Sequence, residues 1–106
     1  MIKKILFILC LSIASLGFSQ EKSIDGLSAA PNPFTNSTKI SFIASNSSTV
    51  FFSVKNVLGK TVLRKKIIIK PRKNTIPFYK NDLPTGIYIY SIQDNNKIVS
   101  KRFVIR

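Results

Sequence analysis

Leu83-Pro84-Thr85-Gly86-Ile87-Tyr88-Ile89-Tyr90-Ser91-Ile92 decides the fold of this chain. Its first four residues hold two structure breakers and read as a tight turn, with Gly86 free to take backbone angles that side chains resist. The next six are almost all β-branched or aromatic, which is the composition of a strand. Apolar residues on both faces predict a central strand of a sandwich. Downstream, Asp94-Asn95-Asn96-Lys97 predicts a turn, because Asn tolerates the left-handed conformation, and Ile98 to Ile105 runs back as the last strand.

Upstream the same period continues. Ile76 and Phe78 alternate after Pro71-Arg72-Lys73-Asn74, which Pro71 marks as a loop or a sheet edge because it cannot donate to a ladder. Thr61 to Lys70 reads as a strand or strand pair, and Asn56-Val57-Leu58-Gly59-Lys60 as a hairpin turn with Gly59 at positive φ. Val50, Phe52 and Val54 share one strand face, as do Ile40 and Phe42 before the polar loop Ser45 to Thr49. Nowhere after residue 20 do apolar positions recur at helical spacing. The prediction is an all-β domain, a small immunoglobulin-like antiparallel β-sandwich of six to seven strands.

The N-terminal 20 residues do not belong to that domain. Lys3 and Lys4 precede an uncharged, mostly apolar run from Ile5 to Phe18, short of the roughly 18 or more residues that a spanning helix needs. This is the pattern of a secretory signal peptide, residues 1–19, with Gly17 and Ser19 placing cleavage between Ser19 and Gln20. An uncleaved anchor would need a longer apolar run, and bulky residues precede Cys10 where lipoprotein processing takes small ones. Residues 20–26 read as a short polar leader, and residues 27–106 as the folded domain.

The chain of 106 residues has room for one domain. It carries 17 Lys and Arg against 4 Asp and Glu, a formal charge of +13, and loss of the signal peptide leaves +11. Cys10 is the only cysteine and leaves with the signal peptide, so the domain must be held by its apolar core instead of disulfides.

The chemical inventory excludes most enzymes. There is no His, no cysteine after the signal, and no two acids close enough in sequence to suggest a dyad. Asp82 and Asp94 fall at turns, where a carboxylate bonds nearby backbone amides. Zinc and copper lack their ligands and calcium lacks clustered oxygens, so no metal, cofactor or catalytic residue is expected. Arg64, Lys65, Lys66, Lys70, Arg72 and Lys73 form a basic cluster that suits an anionic lipid or polysaccharide, whereas the signal peptide argues against nucleic acid. The same lysines on an edge strand would block unwanted strand pairing.

Four pieces of sequence remain. Pro31-Asn32-Pro33 opens the folded region, Gly59-Lys60 closes a turn, and Leu83, Gly86 and Tyr88 lead the central strand. Lys101-Arg102-Phe103-Val104-Ile105-Arg106 ends the chain on a basic pair and an apolar triplet. In this order and spacing they resemble the C-terminal sorting domain of the type IX (Por) secretion system, type A form, from Leu27 to Arg106. The resemblance implies an immunoglobulin-like sandwich that is not an enzyme and acts as an address.

A cargo carrying it crosses the inner membrane by its signal peptide, is recognised in the periplasm by the outer-membrane translocon, and reaches the cell surface or the medium of a Gram-negative cell. A sortase-like surface protease commonly removes the domain and joins the cargo to anionic lipopolysaccharide. The implied partners are that translocon and that protease, with no stable membrane span. Family members carry a large cargo ahead of the domain, and here only Gln20 to Leu27 precede it. A free-standing domain, a remnant of a longer gene and a small surface protein all stay open. A small cationic adhesive module on the same sandwich is the rival reading.

Overall fold

Seven β-strands make up the computed structural model, which describes residues 24–95 and 97–106, and period-two alternation runs through most of them. The expected signal peptide, the expected cleavage site at Ser19 and Gln20, and residues 20–23 of the expected leader lie outside the described residues. The strands are β1 (Ile24–Ala30), β2 (Ser37–Ala44), β3 (Ser48–Asn56), β4 (Thr61–Ile69), β5 (Arg72–Tyr79), β6 (Gly86–Gln93) and β7 (Ile98–Ile105). They form two antiparallel sheets, ordered β1-β2-β5 and β4-β3-β6-β7. No helix occurs among the described residues, and hence none long and apolar enough to cross a membrane.

The order matches an immunoglobulin-like sandwich with one difference. Strands β1, β2 and β5 stand where A, B and E do, and β3, β6 and β7 stand where C, F and G do. The fourth strand extends the β3 sheet instead of pairing beside β5, as it would in a constant-type domain. Val50, Phe52 and Val54 of β3 and Tyr88, Tyr90 and Ile92 of β6 face Ile40 and Phe42 of β2 and Ile76 and Phe78 of β5 across the core. Each of these side chains is buried, and full burial of one aliphatic or Phe side chain is worth about 1.5–3 kcal/mol.

Three sequence expectations need correcting, and one open alternative is decided. Ile24, Asp25 and Gly26, assigned to the leader, belong to β1, and Ile24 is part of the core. An irregularity between Asp25 and Ser28 disguised the alternation there. Strand β6 is central in its sheet, yet its second face is largely open: Ile87 and Ile89 are 45% and 43% exposed, and only Ser91 is buried there. The second face has no layer over it, because the molecule has two layers and not three.

Thr61 to Lys70 makes one strand and not two. The turn before β6 is set earlier than Leu83–Gly86. Leu83 N donates to Lys80 O (3.0 Å), with Asn81 at φ 50°, and this connection crosses from one sheet to the other.

The four-stranded sheet protects its own edges. Lys65 of β4 is paired with the buried Phe52, and Lys101 of β7 with the buried Tyr90, so both lysines stand on the core-facing side of an edge strand. Both are exposed. A charge on the inner face of an edge strand cannot be covered by another strand without desolvation, so it discourages edge-to-edge pairing.

Candidate functional site

The strand registers bring the separated motifs to one end of the sandwich. Gly86 pairs with Ile105, Tyr88 with both Phe103 and Asn56, Ser37 with Tyr79, and Ala30 with Lys39. The connections 31–36, 57–60 and 80–85 and the chain end at Arg106 therefore emerge at the same pole. Pro31, Asn32, Pro33, Gly59, Lys60, Leu83, Gly86, Tyr88, Phe103, Val104, Ile105 and Arg106 lie there. Lys101 and Arg102 stand further along β7, opposite Tyr90 and Ile89. Connections 45–47, 70–71 and 94–97 emerge at the opposite pole.

Pro31-Asn32-Pro33 is a clamp on the last strand. Neither proline can donate a backbone hydrogen bond, so the Asn32 side-chain amide takes the place of a peptide group. Its Oδ1 accepts from Val104 N (3.0 Å) and its Nδ2 donates to Arg102 O (3.3 Å). Phe34 N then donates to Val104 O (3.0 Å), and Arg106 N donates to Phe34 O (2.8 Å), in a parallel bridge between Phe34 and Ile105. Thr38 Oγ1, buried, donates to Pro31 O (2.7 Å), and Lys80 N to Asn36 O (2.9 Å). The outer edge of β7 is thereby occupied over its C-terminal half.

Phe103 is the hub beneath that clamp. It is fully buried and its ring lies 5.2 Å from Phe34, 5.1 Å from Phe78, 6.2 Å from Tyr88 and 5.1 Å from Tyr90, the last pair stacked. These rings come from the 31–36 connection and from β5, β6 and β7. Tyr88 Oη donates to Pro84 O (2.7 Å), a hydrogen bond from the start of the sixth strand back to the preceding loop. This is the tyrosine corner of immunoglobulin-type sandwiches, so Leu83, Gly86 and Tyr88 form one structural unit. Leu83 packs on the core, and Gly86 has φ 151°, an angle side chains rarely adopt. Burial pushes the Tyr90 phenol above its ordinary pKa.

Sequence reasoning missed three contributors. Phe34 and Phe78 pack on Phe103, and Asn56 holds the Gly59-Lys60 turn by accepting from Leu58 N and Lys60 N through Oδ1, each at 3.0 Å. The position of Phe34 directly after Pro33 was the available signal for the first. Asn56 just ahead of a Gly-bearing turn was the signal for the last.

The basic cluster is divided. Arg64 lies over the Phe51 ring at 4.2 Å, a cation–π contact on the outer face, while Lys65 faces inward. Lys70, Arg72 and Lys73 sit at the pole opposite the motifs. There Lys70 and Lys73 rim an open cleft of about 660 Å³ floored by Phe42, Ile67, Ile69 and Ile76. Asn74 holds that turn by hydrogen bonds to Lys70 N (3.1 Å) and Lys70 O (2.7 Å). The Asp25 carboxylate accepts from Gly26 N within β1 and that of Asp94 from Lys97 N in the β6–β7 turn, both local backbone donors. Among the described residues no three His, Cys, Asp or Glu side chains gather as a metal site would require.

No sequence among the curated proteins matches the chain. Among solved structures, a β-glucosidase from Kluyveromyces marxianus matches with a TM-score of 0.50 and 14% identity. The match covers 78% of this chain and 14% of that one. At that identity the likeness speaks for the fold alone. The model of one family, described as the secretion system C-terminal sorting domain, matches residues 28–106, which include the clamp, the tyrosine corner and the closing strand. The chain therefore belongs to the secretion system C-terminal sorting domain family and carries a type IX sorting signal, a family of export addresses and not of enzymes.

Proposed function

We propose that this chain is a non-enzymatic address of the type A form, read as a folded domain in the periplasm by the outer-membrane translocon of the type IX system. The observation that carries this is the gathering of the dispersed motif residues at one pole by the clamp of residues 32–34 on β7. Their arrangement exists only in the folded domain, so a reader of that pole distinguishes folded from unfolded cargo. Delivery to the cell surface or the medium follows, with a sortase-like surface protease and anionic lipopolysaccharide as later partners of a processed cargo.

The test is the full chain with a fluorescent reporter inserted between residues 20 and 24. Surface fluorescence is expected in cells with an intact type IX translocon. Retention inside the envelope is expected when the translocon is deleted. Equal surface display in both strains overturns the reading. The rival, a cationic adhesive module, rests on the basic cluster, but the ring contact of Arg64 and the edge position of Lys65 give two of its cations structural work.

A further inference from the structure

Two of the three most exposed large apolar side chains among the described residues stand side by side at the motif pole, while the third, Ile68, lies near the far end of β4. Leu58 is 88% exposed and Val57 is 70% exposed, at the tip of the β3–β4 turn. Isolated exposed apolar residues need no explanation, but this pair is held out by a closed set of hydrogen bonds. Asn56 N donates to Lys60 O (2.9 Å), and Gly59 N donates to Asn56 O (3.0 Å). The Asn56 Oδ1 accepts from both Leu58 N and Lys60 N, and Gly59 takes φ 83° to close the turn. The backbone of the tip is ordered before any partner arrives, so little entropy is lost when the two side chains are buried.

The surroundings of the tip are cationic. Lys55 and Lys60 flank it, Lys80 and Arg106 stand at the same pole, and Asp82 is the one acid of that pole's connections. Complementarity then selects a site with an apolar floor and a carboxylate rim. A rigid two-residue knob suits a shaped protein pocket, where close packing rewards a single conformation, better than a fluid lipid surface that adapts to any shape.

We infer that Val57 and Leu58 form the apolar knob by which the sorting domain docks into an acid-rimmed pocket of the export machinery's recognition component. This rests on the function proposed above and names the surface that is read. Asn56 and Gly59 act as positioning residues, because they shape the turn without facing the partner.

The experiment compares the full chain, with the reporter between residues 20 and 24, against Val57→Ser/Leu58→Ser and against Leu58→Met. Delivery is scored as surface fluorescence per unit of periplasmic protein, with melting temperature as the control for folding. The double Ser variant is expected to melt with the wild type, because both side chains are exposed, and to lose surface delivery by roughly tenfold or more. Leu58→Met is expected to deliver normally, since it keeps an apolar side chain of similar volume.

Undiminished delivery of the double Ser variant overturns the inference and leaves the sorting function standing. A Met variant as defective as the Ser variant also overturns it, because apolar contact is then not what the partner reads. A wild type that fails to reach the surface with the translocon intact overturns both readings together. Wild-type binding to phosphatidylglycerol vesicles that disappears in the double Ser variant assigns the knob to membrane lipid and overturns the protein pocket.

Discussion

The two poles of the sandwich are closed by different kinds of contact. At the motif pole, Asn32 bonds Arg102 and Val104 across 70 and 72 residues of chain, and Phe103 gathers rings from three other segments. At the opposite pole, Asn74 bonds Lys70 and Arg72, and Asp94 bonds Lys97, over four residues or fewer. The clamp and ring cluster of the first pole depend on the whole domain having folded, whereas its Asn56 turn, like the turns of the second pole, needs only its own neighbours. A reader that engages the clamp therefore tests the fold of its cargo, and one that engaged only locally held turns would not.

The contrast is broken most severely at its hub. Phe103→Ala should cost about 3–5 kcal/mol, a large share of the stability of a small domain, and is best followed by urea unfolding. A loss below 1 kcal/mol would mean that the ring cluster does not close the pole. The same residue shows why deleting Lys101 to Arg106 is a poor probe of recognition: the deletion removes Phe103 and Ile105, both buried, together with two acceptors and two donors of the clamp.

Gly86→Val comes next. The space for a Cβ is open, so the whole effect should be backbone strain at φ 151°, about 1–3 kcal/mol and read as a lowered melting temperature. Equal melting temperatures would show that β6 can begin in an ordinary conformation.

Asn32→Ala should cost about 1–2 kcal/mol, as two hydrogen bonds to the β7 backbone are lost at an exposed site. Its sharper signature is local. Amide exchange should accelerate at Val104, whose N–H loses its acceptor, and stay unchanged at Lys97, whose N–H is held by Asp94. Uniform acceleration at both poles would contradict the division between them.

Tyr88→Phe removes a single bond, the one to Pro84 O, and should cost about 1 kcal/mol in chemical denaturation with the ring packing retained. No measurable change would mean that the corner is held by the ring alone.

At the opposite pole, Lys70→Glu with Lys73→Glu should move stability by no more than about 0.5 kcal/mol and leave reporter delivery intact. Salt-dependent binding of wild type to an anionic polysaccharide that vanishes in this variant, together with lost delivery, would give the basic pole the functional role assigned here to the other.

Most strands were legible because a two-layer sandwich imposes a period of two, and Ile40, Phe42, Val50, Phe52, Val54, Ile76 and Phe78 all obey it into the core. Strand β1 was obscured by the irregularity at Asp25–Ser28, where the inner face is held by Ile24 and Leu27, three residues apart, instead of two. The exposed outer face of β6 was also hidden, since Ile87 and Ile89 look like core residues until the number of layers is known.

Sequence by itself determined most of the strand-forming segments, the turns at Gly59 and Asp94, the cationic character and the order of the motifs, all of which rest on local composition and spacing. Only the tertiary structure decided that those motifs meet. The partners of Asn32 and Phe103 lie tens of residues away, and no local period encodes a contact that depends on which sheet each strand joins. It also decided that Lys65 and Lys101 face inward at the edges, because the face of a residue in an edge strand follows from its pairing partner and not from its own charge.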